Sequence, residues 1–394
     1  MVRILLALLL IPLFSMCHSD TDNDVKDDFS PRNENFISLA YVSTSIMGLQ
    51  KINPSEVVVQ LDKYRWDGIN DIVIIGGNFY AGKDGTLLTG WNQDQWPPVF
   101  EGKDAQGKPI NETLLRSHLC SKQTLDNVVN YFKERNARIW MTVKGAGWLT
   151  GGSFGVILED EALTKKYADQ ICEFCSSYGC YGIDFDWEFP PNEKQAEGYR
   201  RLMKLCKEKG FRISVCAISP TKAGGYELPE NNHAGKYMKY EEIIENKIVD
   251  QINVMQYLAY NPSSNSLDVF QKAEYMHEWQ KAFPNEFTEN RKVDILSGIG
   301  FYGAATPKNG RKSLNFTKLF DEYGEEAYFN PVIGGKHAVW TPKDVRLLVR
   351  YANNQKWSGV FTWLVSHDFT KEHPDEASRQ FALSNAVKEI WGHK

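Results

Sequence analysis

The stretch YGIDFDWEFP, at residues 181–190, carries three carboxylates at alternate positions within an otherwise apolar segment. Alternate side chains of a β-strand point to the same face of the sheet. Asp184, Asp186 and Glu188 would therefore share one face, and the apolar side chains between them would share the other. Because that apolar face must pack under covering helices, the carboxylates are predicted to face the interior of a closed sheet.

The rest of the chain supplies further strands of the same kind, separated by amphipathic segments with helical periodicity. The eight apolar runs are FISLAYV, DIVIIGGNF, ARIWMTV, YGIDFDWEF, FRISVCAIS, VDQINVMQY, DILSGIGFY and GVFTWLV. Near-continuous apolar strands that alternate with helices are typical of a parallel sheet covered on both faces. The pattern predicts an α/β fold, a (β/α)8 TIM barrel of about 360 residues.

Carboxylates inside such a barrel are costly, and neighbouring ones cannot easily both ionise. One of the three is therefore expected to be protonated near neutral pH. Glu188 is the last of them and precedes Phe-Pro-Pro, which ends the strand at the face where barrel enzymes place their chemistry. This position favours a catalytic role, and a buried polar network that only stabilises the fold is the alternative.

Composition limits the classes of partner. The chain has 394 residues, a formal charge of −5 and 42% hydrophobic residues, which is enough to bury a large core. No basic run offers a local attraction to nucleic acid or to anionic lipid. We therefore expect no nucleic-acid partner.

The N-terminus predicts export. Residues 1–17 have one cation, an apolar stretch too short to span a bilayer, and Cys17 directly after it. A cysteine in this place resembles a bacterial lipoprotein signal, and plain secretion is the alternative. Membrane contact would then come only through a lipid on Cys17. Residues 18–35 read as an acidic flexible linker, and residues 36–394 as the catalytic barrel.

Six further cysteines include a CxxC pair at Cys172 and Cys175, in a segment of helical periodicity. No second pair lies at metal-ligand spacing, so the sequence favours buried thiols. We expect neither a metal nor a cofactor.

The segment GIDFDWEFP resembles the DGxDxDxE signature of glycoside hydrolase family 18, the chitinase family. Further motifs in the same order strengthen the resemblance: IVIIGGNFYAGKDGTL, WMTVKGAGW, INVMQY, LSGIGFYG and GVFTWLVSHD. Together these motifs extend the likeness from about Phe36 to the C-terminus.

The resemblance implies a retaining hydrolysis in which the substrate's own 2-acetamido group is the nucleophile. Glu188 would be the general acid and base, and Asp186 would orient the acetamido group while Asp184 tunes its proton sharing. Tyr257 would bind the acetamido carbonyl, and Trp363 would form the floor beneath the sugar. The residues implied to line the sugar are Met255, Gln256, Trp148 and Tyr302.

The loop tryptophans Trp91 and Trp96 follow the second strand and are candidates for stacking sugars along a groove, although a Trp is often a core residue. Larger members of the family insert a small α+β domain before the last strand. Few residues are available for it here, so the insertion is expected to be short or absent and the groove open.

Two positions depart from the family pattern. Tyr181 replaces the first aspartate of the signature, which predicts altered packing where the strand begins. Leu258 replaces an aspartate that follows the tyrosine in many chitinases, which affects the expected rate and pH dependence. The MQY form with Gln256 is similar to some endo-N-acetylglucosaminidases.

Three functions remain open at this point. They are an endo-acting chitinase-type hydrolase of β-1,4-linked N-acetylglucosamine, an endo-β-N-acetylglucosaminidase that cleaves the chitobiose core of N-glycans, and a non-catalytic relative that binds chitin oligosaccharides. The partner is in each case a chitin-type or N-glycan oligosaccharide, and the chain is expected to be a monomer. A glycosidase with two carboxylates flanking the bond fits less well, since carboxylates two residues apart stand on one wall.

Overall fold

A computed structural model of the chain describes residues 35–97, 102–103, 109–110, 112–144, 151–187, 190, 192–218, 220, 237–256, 273–300, 302–305, 314–315, 332–333, 337–338 and 342–367. The predicted export signal, Cys17 and the linker up to residue 34 lie outside these ranges. Residues 33–394 form one compact unit.

Eight parallel strands close into a barrel in which each strand pairs with its neighbours in the sequence and the last pairs with the first. The predicted (β/α)8 barrel is thereby confirmed. The strands are β1 Ile37–Ser43, β2 Asp71–Ile75, β3 Arg138–Lys144, β4 Gly182–Asp186, β5 Arg212–Ala217, β6 Gln251–Val254, β7 Asp294–Gly300 and β8 Gly359–Trp363.

Helices connect the strands along the outside of the barrel. They are α1 Val57–Leu61, α2 Glu112–His118, α3 Lys122–Lys133, α4 Gly151–Leu158, α5 Glu161–Ser177, α6 Glu193–Glu208, α7 Tyr240–Glu245, α8 Glu274–Ala282 and α9 Pro342–Asn354. Three begin at side-chain caps that accept a backbone N–H: Ser121, Asp160 and Asn192. Such caps satisfy donors that the first helical turn leaves unpaired.

Helix α1 is shorter than the periodicity of residues 55–68 predicts. A 3-10 turn, Pro54–Glu56, precedes it, and the indole N–H of Trp66 donates to the Leu61 carbonyl at 2.9 Å. That bond satisfies a carbonyl at the end of the helix, so the chain can turn away there. Other 3-10 turns are Leu49–Lys51, Gln93–Gln95, Pro284–Phe287 and Val365–His367.

A four-stranded antiparallel sheet lies between β7 and α9 in the sequence. Its strands are Tyr302–Ala305, Leu314–Asn315, Val332–Ile333 and His337–Ala338. The insertion is therefore present and short, as one of the two alternatives predicted. Two-residue strands also form hairpins, one from Tyr80–Ala81 and Leu87–Leu88 and one from Gly102–Lys103 and Pro109–Ile110.

Side chains pack closely inside the barrel at the first residue of β4. A Cβ added to Gly182 would lie 2.3 Å from two carbon atoms of the Trp140 indole. The first position of β4 must be glycine because Trp140 already fills that part of the interior. Within the part of the chain described above, no helix is long and apolar enough to cross a membrane.

Candidate active site

The two described carboxylates of β4 lie on the inward face, as the strand alternation predicts. Asp184 is fully buried and Asp186 is 7% exposed. Between them, Phe185 faces outward, is fully buried, and meets the ring of Tyr199 of α6 edge to face at 5.7 Å. The apolar side chains thus hold the strand against its helix while the acids face the interior.

Asp184 is surrounded by neutral hydrogen-bond donors from other strands. The Ser214 hydroxyl donates at 2.5 Å and the Thr142 hydroxyl at 3.0 Å. The Tyr41 hydroxyl lies 3.2 and 3.3 Å from the two carboxylate oxygens, and the Asn253 amide nitrogen is 3.3 Å from one of them. No cation contacts Asp184 among the described residues, so these dipoles alone solvate its charge.

Burial raises the pKa of Asp184, and the bonds from Ser214, Thr142 and Tyr41 oppose that rise, while the nearby charge of Asp186 adds to it. The resulting pKa is about 7. The expectation that one carboxylate of this row is protonated near neutral pH agrees with this value. Asp184 can therefore gain or lose a proton near neutral pH.

The Tyr41 hydroxyl links several members of this cluster. Burial, together with the charges of Asp184, Cys216 and Asp186, raises its pKa well above the ordinary value, so it remains a protonated donor. It accepts a hydrogen bond from Asn253 at 2.9 Å and lies 3.1 Å from the Cys216 thiol.

Asn253 is itself held in one orientation. The amide nitrogen of Gln251 donates to the Asn253 side-chain oxygen at 2.8 Å. With its oxygen occupied in this way, Asn253 must present its NH₂ group to Tyr41 and Asp184. A chain of amide and hydroxyl groups therefore runs from the start of β6 to Asp184.

The residue before Glu188 anchors the end of the strand. Trp187 is 5% exposed, its backbone N–H donates to the Tyr199 hydroxyl at 3.0 Å, and its indole meets Phe154 edge to face at 5.2 Å. This packing fixes the chain immediately before the predicted acid. Glu188, Tyr257 and Trp148 lie outside the described residues.

Trp363 is the last residue of β8 and is partly exposed. Its ring lies 5.6 Å from that of Tyr41 in an edge-to-face contact. The indole therefore stands next to the Asp184 cluster on the inward side of the barrel, at the C-terminal ends of the strands.

Met255 and Gln256 follow β6 directly and differ in their contacts. Met255 is buried, and its backbone N–H donates to the Ala217 carbonyl at 2.7 Å. Gln256 is 1% exposed, and its side-chain oxygen accepts from the backbone N–H of Met276 in α8 at 2.9 Å. The side-chain oxygen of Gln256 thus contacts α8, and the implied role of this residue at the sugar stays a prediction. Of Tyr302, only the backbone pairing within the four-stranded sheet is described.

The two loop tryptophans also have protein contacts. Trp96 donates to the Asn92 side chain at 2.9 Å and packs against a small apolar cluster that includes Leu88. Trp91 stacks on Phe174 of α5 at 5.8 Å and stays 38% exposed. Trp96 is therefore part of the packing of its loop, and Trp91 lies against the flank of a barrel helix.

The six described cysteines are free thiols, five of them buried and Cys180 half-buried, which agrees with the predicted burial. Cys175 and Cys180 come together at the end of α5, where Gly179 is left-handed and the Cys180 N–H donates to the Cys175 carbonyl at 2.9 Å. This is the geometry of a glycine-terminated helix.

Four residues around Asp184 were not singled out from the sequence: Tyr41, Thr142, Ser214 and Asn253. Each lies on an inward-facing position of a different strand: Thr142 and Ser214 pair directly with Asp184, Asn253 lies one strand further along, and Tyr41 reaches across the barrel from β1. Strand parity could have marked them as inward polar residues, but the partner of each depends on the register between strands.

The family model for glycosyl hydrolases family 18 matches residues 106–368, about two thirds of the chain. The chain belongs to this family.

The family 18 chain has sequence relatives among curated proteins. The sporulation-specific chitinase 2 of Saccharomyces cerevisiae is 24% identical over 233 residues, which is 55% of this chain and 45% of that protein. Chitinase 1 of Aphanocladium album is 24% identical over 184 residues, 44% of this chain and 38% of that protein. The family 18 chain thus spans less than half the length of these two relatives.

Solved structures support the fold of the family 18 chain. The GH18 chitinase ChiB from the chitin utilization locus of Flavobacterium johnsoniae has a TM-score of 0.59 at 15% identity, covering 92% of this chain and 94% of that one. A chitinase from Bacteroides thetaiotaomicron has a TM-score of 0.59 at 16% identity, covering 93% and 99%. At these identities the likeness shows a shared barrel and nothing finer.

Proposed function

We propose that this family 18 chain is a retaining, endo-acting glycoside hydrolase that cleaves β-1,4-linked N-acetylglucosamine by substrate-assisted catalysis. The observation that carries the proposal is the Asp184 cluster, a buried carboxylate with a pKa of about 7 beside Asp186 on the inward row of β4. Membership of the family supports hydrolysis of a glycosidic bond, and chitinases among the relatives support the substrate class.

In the proposed mechanism, Glu188 protonates the glycosidic oxygen and later activates water. The acetamido oxygen of the substrate attacks the anomeric carbon, and the leaving sugar departs with the proton from Glu188. Asp186 orients the acetamido N–H and offsets the positive charge of the cyclic oxazolinium ion. Water then opens that ion from the face the leaving group vacated, so the configuration is retained.

Asp184 supports this cycle by sharing a proton with Asp186. Two neighbouring carboxylates disfavour double ionisation, and a pKa near 7 allows Asp184 to hold a proton while Asp186 is charged. The surrounding hydroxyl groups can stabilise either state, because they turn to donate or accept. Tyr257 as a ligand of the acetamido carbonyl and Trp363 as the sugar floor complete the proposal.

The test uses the dependence on the acetamido group. Chitin oligomers should be cleaved, and fully deacetylated glucosamine oligomers and plain β-glucans should not. A thiazoline mimic of the cyclised sugar should inhibit, since it resembles the state the site favours. Proton NMR of fresh hydrolysate should show the β anomer first, and an initial α anomer would exclude attack by the acetamido group.

The endo mode rests on the short insertion, which supports an open groove. Gln256, the residue that is similar to endo-N-acetylglucosaminidases, is only 1% exposed, and the sequence relatives of the chain are chitinases. We therefore favour chitin-type substrates. Release of sugar from chitin oligomers compared with a high-mannose glycoprotein decides between them, and binding without cleavage of either would indicate the non-catalytic relative.

We also propose that the chain is exported and anchored through a lipid on Cys17. The support is the short apolar stretch that directly precedes this cysteine. Labelling with a lipid precursor should mark the chain and not its Cys17→Ser variant. If the wild type and the Cys17→Ser variant are both soluble and unlabelled, the lipoprotein proposal is wrong and plain secretion is the remaining alternative.

A further inference from the structure

A polar cavity of about 330 Å³ lies at the N-terminal ends of the barrel strands, the opposite end from Asp186. The chemistry of its wall comes from six side chains: Asp71, Arg138, Tyr181, Arg212, Arg291 and Asp294. They belong to β2, β3, β5, β7 and the residues just before β4 and β7. Charged side chains from several strands of the barrel therefore line the cavity, and none of them is a residue assigned to catalysis.

Among the described residues of this wall, three guanidinium groups face two carboxylates, so their charges do not balance. Arg138 pairs with Asp71. Arg291 donates to Asp294 at 2.8 Å, and Arg212 reaches the other oxygen of Asp294 only at 3.5 Å. Two arginines thus share one carboxylate, and one positive charge is in excess.

Arg212 is the arginine with the weakest pairing. Its Nε is buried and has no hydrogen-bond partner in the described part of the chain. Its side chain is nevertheless 38% exposed, so the guanidinium is accessible from outside. A buried N–H donor without an acceptor is costly, so Arg212 is incompletely paired, and the accessible part of its side chain can bind an anion in the cavity.

Tyr181 occupies the position at which the family signature would place a third carboxylate beside these arginines. It stands where the DGxDxDxE signature has its first aspartate. Its ring lies 5.0 Å from the guanidinium carbon of Arg138 and 5.5 Å from that of Arg212. The aromatic ring keeps the two arginines side by side, but it supplies no negative charge to them.

We propose that this cavity binds a small oxyanion, a carboxylate or a phosphate, held by Arg212 and Arg138 over the ring of Tyr181. Guanidinium groups bind both classes of oxyanion through pairs of parallel N–H bonds. The anion takes the electrostatic place of the aspartate that Tyr181 replaces. It joins strands that meet at the base of the barrel, so it stabilises the fold and leaves the catalytic end unchanged.

The experiment measures thermal unfolding of the whole chain at pH 7.5 in sodium chloride, acetate or phosphate at matched ionic strength. A ligand that binds only the folded state raises the melting temperature in proportion to the logarithm of its concentration. We expect a rise of about 2 °C or more in acetate, phosphate or both relative to chloride. The two oxyanion arms identify which class is preferred, and no rise in either overturns the proposal.

Variants locate the effect. Arg212→Gln removes the unpaired guanidinium and should abolish the response. Tyr181→Asp supplies an internal carboxylate, so it should melt higher in chloride than the wild type and respond little to added anion. Tyr181→Phe keeps the ring and should respond like the wild type.

A matched control lies elsewhere on the surface. Arg135 also covers a tyrosine ring, Tyr131 at 3.5 Å, and pairs with an aspartate, Asp62, but it does not line the cavity. Arg135→Gln should keep the full response to oxyanions. If Arg212→Gln responds as strongly as Arg135→Gln, the stabilising anion binds somewhere else and the proposed site is wrong.

Discussion

Asp184 and Asp71 are both buried carboxylates on inward-facing positions of the barrel, but they have different partners. Asp71 pairs with the guanidinium of Arg138 and accepts from the Trp140 indole at 2.8 Å. Among the residues that the structure describes, Asp184 is hydrogen-bonded by neutral hydroxyl and amide donors, such as Ser214 at 2.5 Å. Burial raises the pKa of both, and at Asp71 the Arg138 charge opposes the rise.

The difference teaches how one fold separates stability from chemistry. A guanidinium partner favours one charge state of its carboxylate and ties two strands together. Neutral donors stabilise a carboxylate without committing it to that state, since a hydroxyl can also accept from the protonated acid. The end of the barrel that is proposed to move protons has neutral donors, and the opposite end has ion pairs.

The largest expected effect concerns the protonation of Asp184. The pKa of Asp184 is about 7 in the folded state and about 3.9 in the unfolded state. Its contribution to the free energy of unfolding is therefore fully present below pH 4 and is lost as the pH rises through 7. Asp184→Asn should remove on the order of 4 kcal/mol of that pH dependence. Urea unfolding at pH 4.5, 6 and 8 measures the slope.

The control for this prediction is Asp126→Asn, which alters an exposed ion pair with Lys122 on α3. That variant should keep the slope of the wild type. If Asp184→Asn also keeps it, the carboxyl does not titrate near neutrality, and the contrast with Asp71 loses its basis.

The next effect concerns the proposed acid. Glu188→Gln keeps the shape of the side chain but removes the proton donor, so turnover should fall at least about 100-fold while oligosaccharide binding survives. Initial rates and calorimetry on the same oligomer separate the two quantities. Retained turnover would refute the assignment.

A smaller effect compares the hydrogen-bonded amide of Asn253 with the hydroxyl of Ser297. Asn253→Ala removes the acceptor of the Gln251 amide nitrogen and one of the donors to Tyr41, and it should lower the free energy of unfolding by about 1–3 kcal/mol. Ser297→Ala, on the adjacent strand, removes a buried hydroxyl for which no partner is found in the described structure, and it should change little. If chemical denaturation shows the same loss in the free energy of unfolding for both variants, the hydrogen bonds of Asn253 do not stabilise the fold.

The smallest effect concerns the sugar floor. Trp363→Ala should weaken oligosaccharide binding by about 1 kcal/mol, the scale of an aromatic stack, on the Glu188→Gln background. Calorimetry with the same oligomer measures the affinity of both proteins. Unchanged affinity in the Trp363 variant would make this indole a packing residue of Tyr41.

The amino-acid sequence by itself determined the barrel and the side of β4 on which the acids lie. Both follow from local rules: apolar runs of strand length alternate with amphipathic helices, and side chains alternate along each strand. The same rules indicated that Asp184 and Asp186 face the interior. They also indicated that one of the two resists ionisation, because both acids are buried and each is close to the charge of the other.

Only the tertiary structure decided which groups surround each acid. Tyr41 is 143 residues from Asp184, and Asn253 is 69 residues from it, so their meeting depends on barrel closure and on the register between strands. No local pattern reports that register. For the same reason Gln256, one residue beyond inward-facing Met255, faces helix α8, and three arginines distant in sequence meet beside Tyr181 at the base of the barrel.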